Sequence, residues 1–286
     1  MTLDLVSALE HAQTIDKVAN PVADGVNKVI PAGPVKDVLS GTRIGHPVHP
    51  ILTDVAIGTL TSAVILDVVG GESAEAAADR LIGVGLAAVV PTAVTGLSDW
   101  SDTWGKGRRI GMVHAGVNVV ASACFAGSLA VRRSGARGAG KALALAGMGI
   151  MTLGGYLGGH LTFRKGVGVD ETTFDEGPTE WTQLFSLDEL PEGSPTTATV
   201  DGVTILLYRT GAKVAAIHNR CSHRGGPLNE GGCDGRTVTC PWHGSIFALE
   251  SGRILRGPAI APQPRFEVRV TAGKVEVRRD PSELHG

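Results

Sequence analysis

Apolar residues fall into two regimes along this chain. Before residue 165 they come in long runs nearly free of charge, at 51–69, 81–98, 110–131 and 142–163. A helix of about 20 residues, rising 1.5 Å each, crosses a hydrocarbon layer of about 30 Å, so the pattern predicts four transmembrane helices. Gly and Ala dilute each run and Asp54 and Asp67 lie within the first, as a soluble helical bundle would also allow. Run length and charge depletion favour the membrane. After residue 180 the apolar runs shorten, to 204–208, 214–217, 266–270 and 274–277, with turn pairs at Asp201-Gly202 and Ala272-Gly273. This predicts a small antiparallel β domain.

Residues 1–37 form an N-terminal surface segment. Val6, Ala12, Ile15, Val18 and Val22 have mixed helical spacing, broken by Pro21, Pro31 and Pro34. No charged stretch leads into an apolar core, so no cleavable secretory signal is expected. The predicted division is 1–37, a four-helix transmembrane domain at 38–165, an acidic linker at 166–180 carrying Asp170, Glu171, Asp175 and Glu176, and a β domain at 181–280. The 286 residues are 43% hydrophobic with a mean hydropathy of +0.14, enough for two domains. The net charge of −2 comes with no basic aromatic patch, which excludes nucleic acid as an expected partner. No phosphate loop, nucleophile elbow or nucleotide fingerprint is present. In Gly154-x₃-Gly158 and Gly155-x₃-Gly159 the last run places glycines on neighbouring faces, where small residues let membrane helices approach closely.

The strongest chemical signal is Cys221-Ser222-His223, then sixteen residues, then Cys240-Pro241-Trp242-His243. Two thiolates and two imidazoles in paired order suit either a tetrahedral zinc site or an iron–sulfur centre with mixed ligands. Of the other two cysteines, Cys124 lies in the third apolar run and reads as a packing residue, and Cys233 sits in a glycine-rich turn. Four cysteines with these positions make no disulfide framework.

The surroundings, Cys-Ser-His-Arg-Gly-Gly-Pro-Leu and Cys-Pro-Trp-His-Gly-Ser, resemble the two cluster-binding loops of the Rieske family, over about residues 181–278. The resemblance implies a [2Fe–2S] cluster, with Cys221 and Cys240 on the buried iron and His223 and His243 on the outer iron near the surface. Exposed imidazole ligands would let electrons out, and would make the potential depend on pH. Quinol-oxidising Rieske proteins of cytochrome bc complexes carry a bracing disulfide. Gly226 and Trp242 stand at those positions here. Their cluster-tuning serine matches Ser245, while their tyrosine is replaced by Phe247. Fewer hydrogen bonds to cluster sulfur stabilise the reduced state less, so a ferredoxin-like potential is expected. Gly257-Pro258-Ala259 resembles the family's covering loop, with Pro258 over the cluster.

The stretch from Val38 to Val169 resembles a four-helix bacterial membrane family marked by His-Pro-x-His-Pro, here His46-Pro47-Val48-His49-Pro50. That resemblance supplies architecture rather than activity. Four spans would bring His46, His49, His114 and His160 to one membrane face, the one the β domain follows. Ionisable residues at that depth suggest a function. The expectation is a second redox site, binding haem b or a quinone, against a structural alternative in which the histidines fix turns or are satisfied by Asp54 and Asp99. Seven basic residues (Lys36, Arg43, Lys106, Arg108, Arg109, Arg164, Lys165) lie on that side and five (Arg80, Arg132, Arg133, Arg137, Lys141) on the other. The positive-inside rule therefore puts the β domain in the cytoplasm.

The expected fold is multi-domain: an α-helical transmembrane four-helix bundle followed by a small all-β Rieske domain. The expected function is a multi-pass cell-membrane electron-transfer protein, an oxidoreductase subunit rather than a complete enzyme. It would carry single electrons between a redox enzyme, such as a dehydrogenase or hydrogenase, and the quinone pool or a cytochrome. A Rieske-type oxygenase is a second framework, but its catalytic iron needs a 2-His-1-carboxylate triad and only His285 follows His243. The chain would then be the ferredoxin component. A zinc-stabilised membrane scaffold is the non-redox reading.

Overall fold

The computed structural model describes residues 2–280, so His285 lies outside the described residues. The chain divides into two compact units, each described by itself. The first comprises residues up to Pro31 and Pro47–Val167; the second comprises Ala32–His46 and the chain from Gly168 onward.

In the first unit four long helices follow one another: α4 (Val48–Val69), α5 (Glu75–Ser101), α6 (Gly105–Arg133) and α7 (Arg137–Lys165), after the N-terminal α1 (Thr2–His11), α2 (Asp16–Val29) and α3 (Pro34–Ser40), the last belonging to the second unit. Helices α5, α6 and α7 run past the uncharged stretches read from sequence at both ends, because helical propensity continues into the polar and charged turns there, and α4 starts three residues early at Val48. All four are long and apolar enough to cross a membrane. Short connections force antiparallel neighbours, so α4 and α6 begin at the bundle end where α5 and α7 finish. Packing is most extensive within the α4/α5 and α6/α7 hairpins. A Cβ on Gly154 would meet the Asn118 side chain at 2.5 Å, and one on Gly147 would meet Phe125 at 3.1 Å, so glycine on α7 is what lets α6 come this close.

Residues before 32 are not a loose surface segment. On α1, Val6 packs with Ile110 and Leu157, and on α2 Ala19 and Ala23 pack with Trp100. Arg109 on α6 donates to both Asp16 oxygens, at 2.8 and 2.6 Å, and to the Glu10 carbonyl at 2.6 Å. The opposite bundle end is closed by a buried ionic lock. Arg132, 1% exposed at its side chain, pairs with both Asp67 oxygens and with Asp79 at 2.9 Å, while Arg137 reaches Asp79 at 3.0 Å and Glu75 at 2.9 Å.

Among the described residues the second unit carries nine strands in three antiparallel sheets. They are β2 (Pro195–Val200), β3 (Val203–Thr210) and β4 (Lys213–His218); β1 (Thr182–Ser186), β9 (Lys274–Arg279) and β8 (Phe266–Thr271); and β5 (Thr237–Thr239), β6 (Ile246–Ala248) and β7 (Ile254–Arg256). The turn pairs behave as their chemistry requires. Asp201 and Gly202 have φ of 50° and 78°, and Ala272 and Gly273 have 51° and 75°, the paired left-handed values of a type I′ hairpin. Strand β3 is apolar on both faces. Val203, Ile205 and Leu207 enter a core with Phe266, Val275 and Val277, while Leu206 and Tyr208 enter a second core that holds Cys221, Cys240 and Phe247. One strand therefore braces the site against the rest of the domain.

The sequence boundaries shift accordingly. Residues 38–46, read with the membrane domain, belong to the second unit, and the 166–180 linker is partly packed onto it. There the Glu171 amide donates to the Ser222 carbonyl at 3.0 Å and Asp175 meets His218 at 3.2 Å.

Candidate functional site: a paired Cys/His loop centre

Two loops with the same backbone turn form the centre. After β4, the Cys221 amide donates to the Gly226 carbonyl at 2.9 Å and the Gly225 amide to the Cys221 carbonyl at 2.8 Å. Between β5 and β6, the Cys240 amide donates to the Ser245 carbonyl at 2.8 Å and the Gly244 amide to the Cys240 carbonyl at 3.1 Å. Gly225 and Gly244 both have a φ of 75°, where a side chain would be strained, so the Cys-x₃-Gly spacing shared by the loops is a conformational requirement. Each turn also aims backbone amides at sulfur. Those of His223 and Arg224 point at Cys221, and those of Trp242 and His243 at Cys240.

Cys221 and Cys240 are buried and hydrogen-bonded to each other. That bond, followed by burial, holds the Cys221 thiol well above its ordinary range. The same bond, helped by the loop amides, draws Cys240 down to about 7. The lowering favours the Cys240 thiolate, and thiolate is the form that binds metal. The His223 and His243 rings stand edge to face with centroids 5.0 Å apart, and burial first, then the neighbouring His243, keeps His223 well below its ordinary pKa and neutral. Two soft sulfurs with amide donors and two adjacent imidazoles fit a cluster ligated by two thiolates and two imidazoles. Both imidazoles are partly buried rather than fully exposed.

Around these four, Ser245 is fully buried and its Oγ accepts the Ala259 amide at 3.0 Å, tying the second ligand loop to the 257–259 turn that contains Pro258. The hydroxyl keeps its own hydrogen to donate. Phe247 is buried in the core that contains both thiols and has no hydroxyl to add. Gln263 was not legible as a site residue. Its Oε1 accepts the Ser222 amide at 3.1 Å and its Nε2 donates to the His218 carbonyl at 2.7 Å, clamping the first ligand loop. Only a lone glutamine forty residues away marks it in sequence. Cys124 and Cys233 are free, and no disulfide forms among the four cysteines.

The membrane histidines have partners of their own. The His49 Nδ1 lies 2.9 Å from the Thr92 carbonyl and the His114 Nδ1 2.9 Å from the Gly154 carbonyl, each on the next helix of its hairpin. His114 Nε2 also lies 3.2 Å from the Asn118 amide, and His160 Nε2 lies 2.8 Å from a Glu10 carboxylate oxygen. His46 belongs to the other unit. Neither Asp54 nor Asp99 supplies these contacts.

A paired-loop centre with two cysteines and two histidines on a small three-sheet domain defines an iron–sulfur electron-transfer protein of the Rieske class. Residues 180–267 match the Rieske [2Fe-2S] domain, and residues 45–171 match a predicted membrane protein family (DUF2231). Over 98 residues the chain is 31% identical to an anthranilate 1,2-dioxygenase ferredoxin subunit from Burkholderia cepacia, covering 34% of this chain and 91% of that protein. It is 29% identical over 98 residues to the ferredoxin component of a naphthalene 1,2-dioxygenase system from Pseudomonas aeruginosa, covering 34% and 94% respectively. It is 35% identical over 88 residues to the 3-phenylpropionate/cinnamic acid dioxygenase ferredoxin subunit of Escherichia coli K12, covering 30% and 82%. The chain belongs to the Rieske [2Fe–2S] family, its Rieske domain fused behind a four-helix membrane domain.

Proposed function

We propose that this protein is a membrane-anchored Rieske electron carrier, moving single electrons between a redox enzyme and the quinone pool or a cytochrome. The observation that carries the reading is the pair of matched turns, which bring two buried thiols and two imidazoles together with amide donors aimed at the sulfurs. A bound [2Fe–2S] cluster supplies reversible one-electron chemistry. Cys221 and Cys240 would hold the inner iron, His223 and His243 the outer one, and Ser245 and the Pro258 turn would tune and cover it. Iron analysis with electron paramagnetic resonance of the reduced full chain tests this. A rhombic Rieske signal at two irons per chain is expected, and a diamagnetic, zinc-loaded protein would overturn it in favour of a scaffold.

The three relatives are ferredoxin components of dioxygenase systems, which supports a second reading as the ferredoxin of an oxygenase. The absence of a brace at Gly226 and Trp242 fits either role at a ferredoxin-like potential. Reduction of the purified protein by a quinol, compared with reduction by a flavin-dependent ferredoxin reductase, separates the two. The count of seven basic residues against five supports a cytoplasmic Rieske domain, and labelling a cysteine introduced near residue 180 from outside intact cells tests it. For the membrane histidines the contacts at Thr92, Gly154, Asn118 and Glu10 favour helix packing over haem b or quinone. A reduced-minus-oxidised spectrum free of sharp b-type bands is the expected result.

A further inference from the structure

Residues 32–46 precede the membrane helices and lie outside the matched Rieske segment, yet they belong to the Rieske unit. Helix α3 opens with Pro34 in its first turn after Gly33 and closes on Gly41, whose φ of 86° ends the helix. It carries two charged residues that are almost wholly buried, Lys36 at 3% exposure and Asp37 at 9%. Lysine and aspartate are seldom buried so deeply without a defined partner. For Asp37 the partner is the covering turn, since its Oδ1 accepts the Gly257 amide at 2.9 Å. A Cβ on Gly257 would stand 2.1 Å from the Thr42 hydroxyl and 3.0 Å from that same Asp37 oxygen, so glycine is required for the strap to lie against the turn. Ala32 meets Gly244, next to the ligand His243, with 3.1 Å between the Ala32 Cβ and a Cβ built on the glycine. The strap therefore touches both the second ligand loop and the covering turn.

We propose that residues 32–46 are a built-in part of the electron-transfer site: Asp37 holds the Gly257-Pro258 turn in place, and Ala32 seats the start of the strap against Gly244 of the second ligand loop. The inference rests on the Rieske reading above and deepens it. A soluble Rieske domain cut at residue 180 would lack this strap.

The test uses the full chain in detergent, with Asp37→Ala and Asp37→Asn, each checked by electron paramagnetic resonance for an intact Rieske signal. In hydrogen exchange measured on peptides spanning residue 257, Asp37→Ala is expected to speed exchange of the Gly257 amide about tenfold. Asp37→Asn, which keeps an acceptor oxygen for that amide, is expected to restore most of the protection. Unchanged exchange in Asp37→Ala with an intact signal overturns the role of Asp37. A reduced wild-type chain with no Rieske signal overturns the electron-carrier reading itself, a separate outcome.

Discussion

Gly226 faces the Trp242 ring so closely that a Cβ built on it would lie 3.1 Å from the ring carbons and 2.8 Å from the Cys240 sulfur. These are the two positions where the resemblance to quinol-oxidising Rieske proteins places a bracing disulfide. Here a ring fills the space, and the loops meet through packing instead of a covalent bond. Gly226→Ala is therefore expected to overpack the site, at a cost of about 1–3 kcal/mol. Iron per chain should fall and the thermal midpoint should drop. Adding Trp242→Ala relieves the ring contact but leaves the sulfur contact, so it should not restore iron binding. Full recovery in the double variant would show that the ring alone sets the constraint.

The ligand loops were legible because their chemistry is local. Two Cys/His pairs, each followed by a left-handed glycine, specify both ligand type and backbone shape within six residues, and the hairpin turns at 201–202 and 272–273 are equally local. Long-range partners were not legible. Asp37 reaches the Gly257 amide across 220 positions, and Gln263 clamps a loop forty residues away, through single hydrogen bonds that leave no periodic trace. The membrane histidines show the same limit. Their depth suggested a redox site with Asp54 and Asp99 as the structural alternative, whereas His49, His114 and His160 contact backbone carbonyls, Asn118 and Glu10.

The two glycine pairs of the last helix looked equivalent in sequence, and the structure separates them. A Cβ on Gly154 would meet Asn118 at 2.5 Å and one on Gly158 would meet the His114 ring at 3.2 Å, whereas Gly155 has nothing within 4 Å and Gly159 approaches only Phe163 of its own helix. Gly154→Leu and Gly158→Leu are expected to split α6 from α7 and lower the thermal midpoint in detergent by several degrees. Gly155→Leu and Gly159→Leu should change it little. Equal losses at all four positions would mean that glycine serves only general flexibility.

The ionic lock at the other bundle end gives a different ordering. Arg132 and Asp67 are both nearly inaccessible at their side chains, at 1% and 3%, so removing one charge strands the other. Arg132→Met is expected to cost about 3–5 kcal/mol, the range for breaking a buried pair. Asp67→Asn should cost less, since Arg132 keeps its 2.9 Å bond to Asp79. Combining Arg132→Met with Asp67→Leu should recover much of the loss, because apolar replacement removes the desolvation cost of both groups. Thermal unfolding of the three variants in detergent checks the ordering, and a double variant less stable than Arg132→Met alone would contradict it.

Acid should loosen the attachment of α1 to the bundle. The Lys165 ammonium, 2.6 Å from Glu10, and then the hydrogen bond with His160 hold the Glu10 carboxyl down to about 2, against an ordinary 4.5. A folded-state value below the unfolded one means that the ionised carboxylate stabilises the fold above pH 4.5, and that this contribution disappears as the pH falls through the interval toward 2. The wild-type thermal midpoint should therefore decline across that window. Glu10→Gln removes the charge at every pH, so its midpoint should start lower at pH 6 and follow a flatter acid limb, the two curves converging near pH 2. Parallel curves would place the acid sensitivity elsewhere. Because Glu10 draws together α1, the end of α7 and, at 3.8 Å, Lys106 on α6, the same variant should also expose residues 2–11 to limited proteolysis at neutral pH.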